Sequence, residues 1–134
     1  MNKLFIHLAP GLLLLLSVGA QADVINDLQA GYAQQTNGGF AAAKGEALWN
    51  QGFADPKSDR ERSCAACHTN KLKDPGKHAR TGKPIDPMAP SANPKRLTDA
   101  KKVEKWFKRN CKWTLGRECT PQEKGDLLAY ISNQ

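Results

Sequence analysis

The pentapeptide Cys64-Ala65-Ala66-Cys67-His68 constrains the chain more than any other feature of its sequence. Two cysteines three positions apart place both thiols on one side of a helical turn, and a histidine follows at once. Thiols so placed form thioethers to the two vinyl groups of a haem, and the histidine then swings beneath the ring and ligates iron through one nitrogen. Two other chemistries use the same residue types. A redox dithiol sits in a strand-rich, thioredoxin-like setting, of which the sequence shows no sign. A zinc site needs further thiolates. Cys111 and Cys119 could supply them, but they stand eight apart rather than as a second tight pair. One covalent haem c is the expected cofactor, with Cys64 and Cys67 as attachment points and His68 as the proximal ligand.

The N-terminus decides where this chemistry takes place. Lys3 forms a positive start, Leu4 to Leu16 is dominated by apolar residues, and Ala20-Gln21-Ala22 sets small residues at the two key positions before a cut ahead of Asp23. Residues 1–22 read as a cleavable secretory signal and residues 23–134 as the mature domain. The apolar run is short for an uncleaved membrane anchor. A periplasmic address follows, where haem attachment of this type and disulfides both belong. The net charge of +7, of which Lys3 contributes one unit, would otherwise suit nucleic acid; the address excludes that partner. At 134 residues the chain is too short for two ordinary cores. With 25% charged and 7% aromatic residues it is not a disordered chain. No apolar run long enough to span a bilayer occurs after the signal, which excludes a polytopic membrane protein.

The mature part reads as short helices around a proline-rich middle. Val24, Ile25, Leu28 and Tyr32 recur at helical spacing over 23–33. Asn37-Gly38-Gly39 marks a loop, and 41–51 is helical by composition, with Gly45 and Trp49 on one face. Residues 75–94 hold five of the eight prolines and can form neither a regular helix nor an interior strand. Thr98 or Asp99 can cap a helix running to about Lys112. Thr120-Pro121-Gln122-Glu123 starts a final helix with Leu127, Leu128, Tyr130 and Ile131 on its apolar face. No stretch alternates with period two, so the fold is expected to be all-α. Gly45 before the motif and an apolar helix after it resemble the class I cytochrome c fold, whose first and last helices cross tightly at a glycine. Both features also suit ordinary core packing.

The sixth ligand separates one function from another. Met88 is the one methionine of the mature chain, but it lies only 20 residues after His68, with a helix between it and the last one. His78 is nearer still. Either could close the site, and either could be a plain loop residue near the haem edge. On the 98–112 helix, Val103, Trp106, Phe107, Asn110 and Cys111 form one stripe expected to face the core, while lysines fill most of the rest. Asn110 is the one amide on that stripe. A buried amide left without partners costs about 1–3 kcal/mol, so Asn110 either bonds the backbone or coordinates iron.

Several segments carry a more specific resemblance: Arg80-Thr81-Gly82-Lys83-Pro84-Ile85, Ala89-Pro90-Ser91-Ala92, Val103-Glu104-Lys105-Trp106 and Arg109-Asn110-Cys111, with Gly116-Arg117-Glu118 leading into Cys119-Thr120-Pro121. Together they resemble the sphaeroides haem protein family over nearly the whole mature chain. The related cytochrome c″ type has histidine where Asn110 stands here. The resemblance implies high-spin haem, with His68 proximal and Asn110 the distal ligand of the oxidised iron. It also implies release of Asn110 on reduction, binding of oxygen and other diatomics such as nitric oxide, and a disulfide between Cys111 and Cys119. A dihaem cytochrome c and a membrane cytochrome b are the electron donors it implies.

Elementary chemistry agrees with a releasable asparagine. A carboxamide oxygen is a hard, weak-field donor, and ferric haem carries one more positive charge than ferrous haem. Reduction therefore weakens this bond, whereas methionine sulfur favours the softer ferrous iron and keeps an electron carrier closed. The alternative is such a carrier: low-spin, with Met88 or His78 as sixth ligand. No residue is placed by the sequence as an acid or base for turnover, so enzymatic activity is left open. Lysines flank the motif and the 98–112 helix. They form solvated faces that can also steer an acidic redox partner, and Arg80 and Lys83 are among the candidates for pairing with haem propionates.

Overall fold

A computed structural model describes residues 19–134. The chain runs through five helices: α1 (Gly19–Ala33), α2 (Ala42–Asn50), α3 (Ala65–His68), α4 (Ala100–Leu115) and α5 (Pro121–Ser132). Two antiparallel pairs of two-residue strands interrupt it, β1 (Phe53–Ala54) with β2 (Glu61–Arg62) and β3 (Gly76–Lys77) with β4 (Pro84–Ile85). The fold is predominantly helical, as the periodicity implies. The strands go beyond the all-α expectation; at two residues each they are too short to leave an alternating pattern. No helix among the described residues is long and apolar enough to cross a membrane.

The helix ends form where side chains supply the missing backbone partners. Asp99 accepts from Lys102 N at 3.0 Å at the start of α4, and Gly116 ends the helix at φ +74°, a conformation glycine adopts freely. Thr120 and Glu123 bond each other's backbone N–H reciprocally at the start of α5, with Pro121 in the first turn. The helix expected over 23–33 begins earlier, at Gly19, and Gln21 Nε2 reaches Arg96 O at 2.9 Å. Most of the proposed signal, residues 1–18, lies outside the described residues. The segment from Pro75 to Pro94 contains only β3 and β4, as its prolines require.

The core is built where α2 crosses α5. A β-carbon at Gly45 would overlap the Asp126 carbonyl oxygen and come within 2.8 Å of Tyr130 Cβ, so only glycine permits this approach. Trp49, Leu127, Tyr130 and Ile131 fill the crossing and continue into Leu72, Ala89, Cys111 and Cys119. Leu128 and Leu72 are fully buried, each worth about 1.5–3 kcal/mol of hydrophobic stabilisation. Helix α1 leans on α5, with Gln29 donating to Gly125 O at 3.2 Å. Tyr32 on α1 and Lys124 on α5 both bond the Glu104 carboxylate of α4. Cys64, Ala65, Met88 and Phe107 pack against the same core, so one cluster joins the attachment motif, the proline-rich loop and α4.

Candidate functional site

The motif forms the single turn the chemistry requires. Cys64 has helical backbone angles, His68 N donates to Cys64 O at 3.0 Å, and Ser63 Oγ accepts from Ala66 N at 3.0 Å. Cys64 and Cys67 are both free thiols. Burial pushes the Cys64 thiol up to about 11, so its buried sulfur is held in the neutral form. Ala79 N donates to Cys67 Sγ at 3.4 Å. Behind the turn, a β-carbon on Gly76 would overlap Cys67 O and lie 2.9 Å from His68 Cα; glycine lets the loop close directly against the histidine.

His68 is set as a neutral ligand. Desolvation, with a smaller contribution from the Arg96 charge, pushes its imidazole down to about 4. Its ring lies 5.6 Å from that of Trp49, and Trp49 Nε1 donates to Thr69 O at 2.8 Å, fixing the indole beside it. The His68 Nδ1 is buried without a hydrogen-bond partner. A neutral imidazole whose buried Nδ1 is unpaired, next to two free thiols on one turn, fits covalent haem with His68 on iron. The zinc alternative fails on different ground. Cys111 and Cys119 are joined as a disulfide, Cα atoms 5.5 Å apart, so neither offers a thiolate.

Helix α4 departs from the sequence expectation in one respect. Cys111 and Thr114 are buried, but Trp106 is 42% and Trp113 41% exposed, and Asn110 between them is exposed as well. The flank of the stripe that carries Asn110 is therefore not packed into the polypeptide core. Asn110 is left uncovered by the polypeptide, on the flank open to a further group. Asn50 shows the contrast, its Nδ2 folded back onto Glu46 O at 3.0 Å. An amide between two open indoles suits a planar apolar group lying against that flank.

The other candidates have roles in the fold. Met88 N donates to Leu72 O at 2.9 Å, and its side chain packs against the core. His78 Nδ1 accepts from Arg80 N at 3.2 Å and Thr81 N at 3.1 Å, stabilising the turn between β3 and β4. Arg80 and Lys83 are exposed on that turn. Two arginines matter that the sequence did not single out. Arg96 donates to Pro87 O at 2.8 Å and Asp86 O at 2.6 Å, holding the loop that carries Met88. Arg62, two positions before Cys64, reaches Trp113 on α4. Neither has a spacing that would mark it, since Arg96 bonds backbone carbonyls of an irregular loop and Arg62 a carbonyl 51 positions away.

Comparison with known proteins adds a family. A family model described as a domain of unknown function, DUF1924, matches residues 35–131. The chain is 45% identical over 107 residues to the cytochrome c-type protein SHP of Cereibacter sphaeroides, covering 80% of this chain and 81% of that protein. It is 40% identical over 125 residues to cytochrome c″ of Methylophilus methylotrophus, covering 87% and 86%. Among solved structures, oxidised SHP, described as an oxygen-binding cytochrome c, superposes with a TM-score of 0.74 at 42% identity, covering 82% of this chain and 96% of that one. Oxidised cytochrome c″ gives 0.74 at 34% identity, covering 88% and 97%. A solution structure of cytochrome c″, concerned with haem-ligand detachment, gives 0.71 at 34% identity, covering 88% and 96%.

Proposed function

The chain belongs to the DUF1924 family and to the family of c-type cytochromes that holds SHP and cytochrome c″, and from that premise we propose that it accepts electrons and binds small diatomic ligands once Asn110 is released. When bound through Cys64 and Cys67, one haem c supplies a redox-active iron. His68 would serve as the proximal ligand, its ring held beside Trp49. Asn110 offers a neutral, hard carboxamide oxygen to the oxidised state. Its hold weakens with the loss of one positive charge on reduction. On release the amide would need a new hydrogen-bond partner, from water or a neighbouring polar group.

That exposed position, between two half-open tryptophans, is the observation that carries the proposal. The relatives support it: SHP is an oxygen-binding cytochrome c, and cytochrome c″ is a case of haem-ligand detachment. Oxygen and nitric oxide are the diatomic ligands proposed, oxygen being the one named for SHP. The disulfide and the N-terminal signal pattern support a periplasmic location. For electron donors we retain a dihaem cytochrome c and a membrane cytochrome b. The lysines of α4 would steer an acidic face of such a donor, and transfer rates that ignore ionic strength would rule this out.

The test is an optical spectrum of the holoprotein, oxidised and reduced, with and without carbon monoxide. A high-spin reduced form that binds carbon monoxide at once is the expected result. A low-spin reduced form that ignores it would overturn the proposal and return Met88 and His78 as sixth-ligand candidates.

A further inference from the structure

The strand that leads into the attachment motif is tied directly to the helix that carries Asn110. Arg62, the last residue of β2, donates from Nη1 to the Trp113 carbonyl oxygen at 2.8 Å. Its guanidinium lies 4.9 Å from the centre of the Trp113 ring. Its Nη2 pairs with Asp55, and the two side chains are only 16% and 17% exposed. Asp55 is itself fixed by the hairpin turn, accepting from Lys57 N at 2.9 Å and Ser58 Oγ at 3.1 Å. Trp113 is one helical turn beyond Asn110, and its carbonyl is one of the unpaired acceptors at a helix C-terminus, where a cation is favoured.

We propose that Arg62 is a positioning residue for the sixth ligand. It holds the last turn of α4 against the segment entering Cys64, and so sets how firmly Asn110 is presented to the iron. The rest of α4 is secured by other means. Glu104 binds Tyr32 and Lys124 toward its start, and the disulfide holds Cys111 on the buried face. Arg62 is the anchor on the open flank. Unlike the disulfide it is a non-covalent anchor, and its Nε is buried without an acceptor. The proposal rests on Asn110 being the ligand of the oxidised state.

The experiment titrates cyanide against the oxidised holoprotein and carbon monoxide against the reduced one, in the wild type and in Arg62→Lys, Asp55→Asn and Asn110→Ala. Lysine keeps the charge but cannot stack on the indole while bonding both Trp113 O and Asp55. Asp55→Asn leaves Arg62 in place and covers the case in which Arg62→Lys does not fold. Cyanide competes with Asn110, so a looser helix raises its apparent affinity. The expected gain is about tenfold for Arg62→Lys and about threefold for Asp55→Asn, with carbon monoxide affinity unchanged. Amide hydrogen exchange should quicken at 113–117 and stay unchanged at 103–106. Wild-type cyanide affinity in both clamp variants, alongside a gain in Asn110→Ala, would overturn the clamp alone. No gain in Asn110→Ala would overturn the ligand assignment and the clamp with it.

Discussion

Replacing Gly45 by alanine should cost the holoprotein about 3 kcal/mol of unfolding free energy, although alanine is the better helix former by about 1 kcal/mol. The new β-carbon would overlap the Asp126 carbonyl oxygen, sit 2.6 Å from its carbon and lie 2.8 Å from Tyr130 Cβ. These atoms are backbone or next to it, so no rotamer change relieves the clash. Ordinary contact begins near 3.4 Å, and the helices must part by about 1 Å to reach it. Trp49, Leu127, Tyr130 and Ile131 share that interface, and a gap of this size forfeits a quarter to a half of their dispersion across it. Gly125 supplies an internal control. A β-carbon there would overlap Cδ1 and Cε1 of Phe40 and lie 2.6 Å from Cγ, so a half-buried ring rather than a backbone carbonyl has to shift. Gly125→Ala should therefore cost less than Gly45→Ala, about 1–2 kcal/mol. Urea unfolding followed by far-ultraviolet circular dichroism measures both. Equal losses in the two variants, or a Gly45→Ala loss below about 0.5 kcal/mol, would refute the backbone-clash reasoning.

Three further outcomes are expected. Replacing Cys111 and Cys119 together by alanine frees a nine-residue loop in the unfolded chain and should lower stability by about 2.5 kcal/mol in urea unfolding. Carbon monoxide binding rates of the reduced protein should stay unchanged, and an altered rate would show that the bridge gates the ligand. Arg117, bonding both oxygens of Glu123 at 2.7 Å, holds that carboxyl below the usual glutamate range, with help from Thr120 and against its partial burial. Its stabilisation is complete above the ordinary value of 4.5 and is lost as pH falls through the lowered one. The stability gap between wild type and Glu123→Gln should thus shrink in acid, and a gap equal at pH 7 and pH 3 would count against it. Asn110→His should give a low-spin spectrum in the oxidised protein, because imidazole is a stronger-field donor than a carboxamide oxygen. An oxidised spectrum identical to wild type would remove Asn110 from the iron.

The parts of the fold legible in the sequence are those fixed by local chemistry. Asp99 and Thr120 start α4 and α5 where their side chains meet orphan N–H groups, and the prolines of 75–94 keep regular structure out. The attachment turn follows from five consecutive residues. What stayed hidden depends on distant pairing. Two-residue strands cannot display a period, and Arg62 finds Trp113 across 51 positions. His78 looked like an iron ligand by type, yet its Nδ1 serves two backbone N–H groups within three residues. A residue list cannot distinguish those uses, because imidazole accepts a turn bond as readily as it binds a metal.

Helix α4 shows why a stripe does not name its own partner. At 100° per residue, Val103, Phe107, Cys111 and Thr114 fall on one flank of the apolar face, and Trp106, Asn110 and Trp113 fall on the other. Periodicity treats them as one surface. Packing divides them: the first flank is buried or half-buried, and the second is open. Two indoles left open on one flank would be a poor choice for plain surface, since clustered exposed aromatics favour association. The same flank serves a c-type cytochrome well, because a flat macrocycle needs apolar contact together with one weak polar donor. Asn110 stands on that flank rather than on the one packed into the polypeptide, and so is placed to meet such a group. An asparagine packed within the polypeptide would have to break a buried contact to leave. One on this flank would be held chiefly by the group it faces, and its bond to iron would weaken on reduction.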